Sequence, residues 1–421
     1  MIKRSIMKKI VIIGNSAAGL SALENFRKHD QESQVTVISK EGKLPYSRVL
    51  IPYILRKKIS YAGIHICPED YFEKYHAEMI CAEVIGIDIE KQTVKTEQTE
   101  YPYDELLIAT GSYAVSPPIE GINQEGVFHM WTQSDLDHLI PYFDHSKKVC
   151  VIGSGFVALQ AAWAARYRGL DVVVLELMDR IMPSVLDEEG ARLLTEKIRE
   201  KGVDLRTGVS TQRFEKMDDG TFKIHLAGGE EIEADFVIVG TGVRSNIGFL
   251  KDTDIQTERG ILVDSHMRTN IPNIYAAGDV AAGPTTFGDE HLIHALWPTA
   301  CEMGKTAGKN MAGIDFEYEG SLNMNVTEMY GVTVASMGKF YDADADQTYV
   351  FDETAGYGYL KICYKDDKVV GACLVGSSDA VKIFGKMRPI IRKKESIECK
   401  PEEIFDYINK TTFNEMWRKG L

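Results

Sequence analysis

Two stretches of the chain share one order of apolar and polar positions. Residues 8–26 read KKIVIIGNSAAGLSALENF, and residues 147–165 read KKVCVIGSGFVALQAAWAA. Each has two lysines, a short apolar run, a glycine-rich turn and a stretch of small residues, which predicts a buried strand followed by a helix. A second apolar run follows each helix and ends at Ser39 in the first copy and at Glu176 in the second. The chain therefore contains an internal repeat of strand, turn, helix and strand.

The turn of each copy has the spacing that lets a dinucleotide approach the backbone. The first glycine allows a tight turn, a small third residue admits a pyrophosphate, and a small sixth residue lets the helix pack on the strand. The N-terminus of the helix stabilises the phosphate charges. One such motif can be a tight turn without a ligand, but two in matching contexts favour dinucleotide binding. The candidate residues are Gly14, Ser16, Ala17, Ala18 and Gly19 in the first turn and Gly153, Gly155, Phe156, Val157 and Ala158 in the second.

The residue that ends the second strand selects the nucleotide. A carboxylate at Glu176 accepts a hydrogen bond from the 2′-hydroxyl of an adenosine ribose and repels a 2′-phosphate, which favours NADH over NADPH. The alternative is an exposed glutamate at a strand end. Ser39 stands at the corresponding position of the first copy and supplies no carboxylate. Lys40 and Glu41 follow it, and Glu41 is the candidate to replace the missing acid.

Later apolar runs predict further strands and a helix. Residues 296–311 predict an amphipathic helix with Pro298 in its first turn. Residues 357–376 predict two alternating strands around a turn at Asp366 and Asp367. Candidate site residues follow three other strands: Ala109, Thr110 and Gly111 after the strand in 103–108, Gly242 after the strand in 234–240, and Gly278 and Asp279 between the strand in 269–277 and the start of a helix.

Composition and charge narrow the class of protein. A chain of 421 residues divides into two or three domains, and a net charge of -14 argues against non-specific nucleic-acid binding. No apolar run reaches membrane-spanning length, and the basic N-terminus enters the first strand directly. The seven cysteines form no C-x-x-C pair, which indicates neither a disulfide framework nor a metal site. We therefore expect a cytoplasmic protein without a nucleic-acid or membrane partner.

In this order, the motifs resemble those of the pyridine nucleotide–disulfide oxidoreductase superfamily, whose members are flavoproteins with interleaved FAD and NAD(P) domains. PYSRVLIPY, residues 45–53, and HALWPTACEMGKTAGKNMAG, residues 294–313, are most similar to its NADH-dependent branch. That branch includes rubredoxin reductases and the flavin portion of assimilatory nitrite reductases. The resemblance implies the α/β class, with two interleaved Rossmann-like dinucleotide-binding domains and a C-terminal α+β domain. It places FAD on residues 1–118 and 241–316, NADH on 119–240 and a dimerisation-like domain on 317–421.

The resemblance also implies roles at the flavin site. Asp279 accepts a hydrogen bond from a ribityl hydroxyl. The helix that begins near Trp297 and Pro298 directs its N-terminal amides at the pyrimidine edge of the flavin, and it is also consistent with an ordinary core helix. The turn residues Ala109, Thr110, Gly111, Gly242 and Gly278 belong to the same cofactor site.

Two absences from the family pattern bear on the reaction. Disulfide reductases carry a C-x-x-x-x-C pair, and coenzyme A disulfide reductases carry one cysteine where this chain has Val49. A disulfide reductase also uses a C-terminal histidine as proton donor, whereas the last histidine of this chain is His294. The two losses agree with each other and exclude dithiol chemistry.

Three residues stand where the resemblance places the reacting groups. Many relatives hold a lysine–glutamate pair beside flavin N5, and this chain has Tyr53 and Gln160 at those positions, where a hydrogen bond between them would keep the same wall. Arg48 is then the fixed cation of this stretch, and it faces an acceptor or the FAD phosphates. The alternative for Arg48 is a solvated surface side chain. These three residues are the candidate catalytic residues.

The sequence therefore predicts an FAD-dependent NADH:acceptor oxidoreductase that passes electrons to a small electron-carrier protein or a partner reductase subunit. One alternative is an NADH oxidase that reduces oxygen, and another is a non-enzymatic redox sensor that binds NADH and FAD. Residues 382–400 carry seven basic residues, which form a docking patch for an acidic carrier or a solvated helix face. A homodimer through the C-terminal domain is a further expectation.

Overall fold

The computed structural model describes residues 7–351, 358–378, 380–394 and 403. These residues form two compact units, and each unit is built from two separate segments of the chain. The first contains the residues up to Val115 together with Val243–Leu322, and the second contains Ser116–Gly242 together with the residues from Asn323 onward. Parallel sheets flanked by helices confirm the α/β class.

A five-stranded parallel sheet organises the first unit. Lys9–Ile13 is its central strand and pairs on both sides, as the continuous apolar run predicts. Helix Trp297–Met311 packs closely on helix Ala17–Arg27 because Gly304 and Gly308 have no side chain, and a Cβ atom there would lie 2.2 and 2.3 Å from backbone oxygens of that helix. The strands lie in the order Ile274–Ala276, Glu105–Ile108, Lys9–Ile13, Gln34–Ser39 and Ala77–Cys81.

Three small sheets and two short helices complete the first unit. One prediction was wrong here: Asp279 is followed by a turn and by strand Ala281–Thr285, not by a helix. That strand pairs with Ile261–Leu262 and with Gly288–Leu292, and this pairing outweighs the helix propensity of its alanines. The remaining elements are strands Val84–Asp88, Thr93–Thr96 and Glu100–Pro102, the pair Ser112–Ala114 and Val243–Ser245, and helices Ile51–Leu55 and Tyr71–Lys74.

The second unit repeats the parallel arrangement. Lys148–Ile152 is the central strand, and helix Phe156–Tyr167 follows it directly. The strand order is Asp204–Arg206, Asp171–Leu175, Lys148–Ile152, Phe236–Val239 and Val127–Phe128. The other elements are helices Gln133–His145 and Glu188–Glu200 and the antiparallel strands Thr211–Lys216, Phe222–Leu226 and Glu231–Ala234.

In the described residues, the C-terminal part of the second unit forms a five-stranded antiparallel sheet and one α-helix. The predicted pair of strands is confirmed, with a turn at Asp366 and Asp367, both at positive φ. Helix Ala380–Lys393 packs on this sheet. The strand order is Met324–Met329, Val332–Gly338, Lys368–Gly376, Gly358–Lys365 and Gln347–Phe351. Among the described residues, no helix combines the length and the apolar character that crossing a membrane requires.

Candidate functional site

The first glycine turn has the shape that a pyrophosphate needs. Gly14 has a φ of +113°, and a Cβ atom there would lie 2.1 Å from the backbone oxygen of Ala109. A Cβ atom at Gly19 would lie 1.9 Å from the oxygen of Gly14, so only glycine allows the helix to approach the strand. The helix begins at Ala17, and no side chain caps its N-terminus at Ser16. Its first amides are therefore directed at the space where an anion binds.

The second turn has the same geometry. Gly153 has a φ of +101°, and a Cβ atom there would lie 2.5 Å from the oxygen of Gly240. A Cβ atom at Gly155 would meet nothing within 4 Å, which leaves open space before the helix. That helix begins at Phe156, again without a side-chain cap, and Ala158 is fully buried against Gly240. Both turns therefore fit a dinucleotide.

Glu176 is held in place at the end of its strand. Its side chain is buried, and its Oε2 atom accepts a hydrogen bond from the Ser154 hydroxyl at 2.6 Å. Its Oε1 atom accepts from the backbone N–H of Met178 at 2.8 Å. The alternative of an exposed strand-end glutamate is therefore wrong. Ser154 was not predicted, because the second position of the turn tolerates many residues.

Arg48 and Glu41 form an ion pair after the second strand of the first unit. The Arg48 guanidinium donates to Glu41 at 2.6 Å, and both side chains are about a quarter exposed. The Tyr46 hydroxyl donates to the other Glu41 oxygen. Arg48 is therefore not a solvated surface arginine. Ser39 accepts a hydrogen bond from the Glu41 N–H, whereas Lys40 forms an exposed ion pair with Glu83.

Asp279 is held by two serine side chains of the first unit. Its carboxylate accepts from the Ser112 hydroxyl at 2.8 Å, and its backbone oxygen accepts from the Ser245 hydroxyl at 2.6 Å. Burial raises the pKa of Asp279 above its ordinary value, while the Ser112 hydrogen bond and the charge of Arg48 act in the opposite direction. Arg48 therefore acts electrostatically on Glu41 and Asp279 at once. Ser112 and Ser245 were missed, because no sequence signal marks a lone serine.

The other turn residues differ in the space that they leave around the backbone. Ala109 is buried and pairs its N–H with Ile13, and the Thr110 hydroxyl donates to the Asn246 carbonyl at 2.9 Å. Gly278 has a φ of +82°, and a Cβ atom there would lie 3.1 Å from the Ala18 side chain. At Gly111 and Gly242, both at positive φ, a Cβ atom would meet nothing within 4 Å. The backbone at Gly111 and Gly242 is therefore open to a ligand.

The segment that lacks the thiol forms a short helical turn. Val49 is 59% exposed, whereas its neighbours Ile51 and Ile54 are buried in the first unit. The Tyr53 ring is partly buried, and the guanidinium of the buried Arg56 lies 4.4 Å from its centroid. The sequence segment therefore presents an aliphatic side chain at the position of the thiol.

The start of the last helix of the first unit matches the prediction. Helix Trp297–Met311 has Pro298 in its first turn, and no side chain caps it at Leu296. Trp297 is partly buried and packs against the core. An uncapped helix N-terminus favours negative charge, which suits the proposed placement beside a reduced flavin.

Gln160 lies on the helix that follows the second turn. Its side-chain nitrogen donates to the Thr327 hydroxyl at 2.7 Å and to the Glu328 carbonyl at 3.2 Å. Its Oε1 atom is buried and accepts no hydrogen bond from the described residues. The amide is thus oriented by a strand of the C-terminal sheet, and its acceptor is left for another donor. The predicted Tyr53–Gln160 hydrogen bond stays a prediction.

Five of the six described cysteines are free thiols in surroundings that disfavour thiolates. Burial raises the pKa of Cys67 to about 11, of Cys150 to about 12 and of Cys363 to about 11. Burial also raises the pKa of Cys301 and Cys373, and Cys363 and Cys373 are fully buried in the C-terminal sheet. A thiol needs its thiolate form to act as a nucleophile, so none of these five suits that role.

Two family profiles cover most of the chain. The profile of the pyridine nucleotide-disulphide oxidoreductases matches residues 8–304, and that of the rubredoxin NAD+ reductase C-terminal domain matches residues 324–395. The chain belongs to the pyridine nucleotide-disulphide oxidoreductase family. Members of this family are NAD(P)H-dependent flavoprotein oxidoreductases that bind FAD and use NADH, and the two glycine turns of this chain fit these dinucleotides.

Three known proteins illustrate the likeness. The chain is 32% identical over 389 residues to a nitrite reductase (NAD(P)H) of Bacillus subtilis strain 168, covering 90% of this chain and 47% of that protein. It therefore spans about half the length of that relative. It is 30% identical over 417 residues to an NADH oxidase of Methanocaldococcus jannaschii, covering 93% of this chain and 92% of that protein. The crystal structure of NADH:rubredoxin oxidoreductase from Clostridium acetobutylicum superposes on this chain with a TM-score of 0.77 at 25% identity. The superposition covers 96% of this chain and 100% of that protein.

Proposed function

We propose that this chain is an NADH:acceptor oxidoreductase that passes electrons to a separate electron-carrier protein or partner reductase subunit, without dithiol chemistry. The observation that carries the proposal is Val49, an exposed aliphatic side chain where related disulfide reductases hold a cysteine. The raised pKa values of the buried thiols support it. FAD, when bound, accepts a hydride from NADH and releases the electrons to an acceptor.

The residues of the first unit bind and orient FAD in this proposal. The uncapped helix that begins at Ala17 binds the pyrophosphate. Asp279, held by Ser112, accepts from the ribityl chain. Glu41 is held by Arg48 and Tyr46. Its remaining lone pairs can accept a hydrogen bond from the ribose, which replaces the carboxylate that is missing at Ser39. Because Arg48 pairs with Glu41, we favour a role for Arg48 in binding FAD over direct contact with an electron acceptor.

The residues of the second unit bind NADH in this proposal. Phe156 begins the helix whose N-terminus faces the pyrophosphate, and Glu176 accepts from the adenosine ribose. Gln160 presents its Oε1 atom as an acceptor, and its orientation is set by Thr327. Tyr53 stays a candidate catalytic residue, as the resemblance implies. The predicted ranges 1–118 with 241–316 for FAD and 119–240 for NADH are part of the same proposal.

The partner is proposed from charge and from similarity. Helix Ala380–Lys393 and the residue after it carry Lys382, Lys393 and Lys394 at exposed positions, and residues 395–400 of the basic segment lie outside the described part. On an acidic chain, this patch suits an acidic electron carrier. A homodimer through the C-terminal sheet and a cytoplasmic location complete the proposal.

A second candidate is an NADH oxidase, which the similarity to the archaeal NADH oxidase favours. Stopped-flow mixing with NADH tests both candidates against a sensor, because an enzyme reduces its flavin rapidly and turns over. Oxygen consumption then separates them. Slow oxygen uptake together with fast reduction of an added rubredoxin or ferredoxin supports the acceptor oxidoreductase, and fast oxygen uptake supports the oxidase.

A further inference from the structure

We propose that Ser154 is a positioning residue that sets the preference for NADH over NADPH by holding the Glu176 carboxylate. The inference rests on the proposed binding of NADH at the second glycine turn. Ser154 is only 1% exposed, and it lies between the two glycines of that turn. It links the phosphate-binding turn to Glu176, the residue that we propose to bind the adenosine ribose.

The hydrogen bonds around Ser154 fix the direction of its single proton. The backbone N–H of Met182 donates to the Ser154 oxygen at 3.3 Å, so that oxygen acts as an acceptor there. The hydroxyl proton is left for Glu176 Oε2, 2.6 Å away. A hydroxyl carries one proton and two lone pairs, so this arrangement uses Ser154 as an acceptor from one side and a donor toward the other.

The consequence is a carboxylate with a fixed orientation. Glu176 accepts one hydrogen bond on each oxygen, from Ser154 and from the N–H of Met178. Two donors aimed at the two oxygens resist rotation of the group. The remaining lone pairs accept from a hydroxyl. NADH offers a 2′-hydroxyl on its adenosine ribose, whereas NADPH offers a phosphate that this charge repels.

The test measures binding, which needs no turnover. Isothermal titration of the oxidised holoenzyme gives the Kd values of NAD+ and NADP+ for the wild type, Ser154→Ala and Ser154→Thr. We expect Ser154→Ala to raise the Kd of NAD+ by about tenfold, which is the scale of one charge-assisted hydrogen bond, and to change that of NADP+ much less. Ser154→Thr keeps the hydroxyl and should restore the ratio of the two Kd values.

A double-mutant cycle with Glu176→Ala separates positioning from damage to the turn. In the Glu176→Ala background, Ser154→Ala should leave the ratio of Kd values unchanged. An equal rise in both Kd values, or the same change of ratio without Glu176, would overturn the inference. If Ser154→Ala does not fold, Ser154→Cys keeps the size with a weak donor and carries the same test. Failure of NADH to reduce the flavin would contradict the proposed function but not this ratio.

Discussion

The side-chain nitrogen of Gln160 donates a hydrogen bond to the Thr327 hydroxyl at 2.7 Å. The two residues are 167 positions apart, and the contact joins the helix after the second glycine turn to the first strand of the C-terminal sheet. A further hydrogen bond joins the same helix to that sheet region, from the Tyr330 hydroxyl to the Leu159 carbonyl at 3.3 Å. The C-terminal sheet therefore orients the helix that we propose to bind NADH.

Gln160→Glu should destabilise the protein and not recreate the acid found in many relatives. A carboxylate cannot donate to the Glu328 carbonyl, so a buried group would lose its partner at a cost of about 1–3 kcal/mol. Thermal unfolding should show a lower midpoint at pH 8 and a smaller loss at pH 5, where a protonated carboxyl can donate. Thr327→Val, which removes one partner only, should cost less. An unchanged midpoint for Gln160→Glu at pH 8 would contradict the account.

Asp279→Asn should raise the stability of the protein without FAD and weaken FAD binding. Because burial raises the pKa of Asp279 from 3.8, the native state holds this proton more tightly than the unfolded chain. This group therefore makes the unfolding free energy fall as pH rises from that value through the native pKa. Asparagine removes the dependence. Denaturation of the FAD-free protein between pH 4 and pH 8 measures the effect.

Ser112→Ala is the opposite control for Asp279. Its hydroxyl lowers the pKa of the carboxyl, so its removal should raise that pKa further and lower stability at neutral pH. If the unfolding free energies of the wild type, Asp279→Asn and Ser112→Ala depend on pH in the same way, the pKa of Asp279 is not raised by burial. FAD retention on dialysis should fall for both variants.

Glu176→Ala should narrow the preference for NADH over NADPH. The wild type should reduce its flavin faster with NADH, and the variant should lose about tenfold of that ratio because repulsion of the 2′-phosphate is removed. Rapid mixing with each nucleotide gives the two rates. Glu97→Ala removes an equal charge from an exposed position and should change nothing. Equal wild-type rates with both nucleotides would remove Glu176 from the site.

Reversal of Lys393 and Lys394 to glutamate should slow the reduction of an acidic carrier protein and weaken the salt dependence of that rate. Reduction of small dyes by NADH should stay unchanged, since no dye needs the patch. Lys147→Glu with Lys201→Glu, two exposed lysines of the same unit, gives the same charge change as a control. If both double variants lose carrier-reduction rate equally, the effect is due to net charge. If neither variant loses rate, residues 382–394 are a solvated helix face and not a docking patch.

The sequence predicted the frame of the site better than its contacts. The apolar runs around Gly14 and Gly153 predicted both parallel sheets, because strands buried on both faces must be apolar throughout. The strand after Asp279 was predicted as a helix start, because its alanines favour a helix and its pairing with Ile261–Leu262 and Gly288–Leu292 leaves no pattern in its own residues. Ser112 is 167 positions from the Asp279 carboxylate that it contacts. A hydrogen bond of this kind follows from the fold and leaves no local pattern.

Anaerobic titration with NADH and then with dithionite tests the central claim most directly. With Val49 in place of a thiol and the buried thiols held neutral, the protein should take up one pair of electrons per FAD. The visible flavin band should bleach fully at that point, without a thiolate charge-transfer band during dithionite reduction, and alkylation of the thiols should not change the stoichiometry. Uptake of two further electrons per FAD that is lost when the protein is first reduced and then alkylated would show a redox-active disulfide and contradict the account.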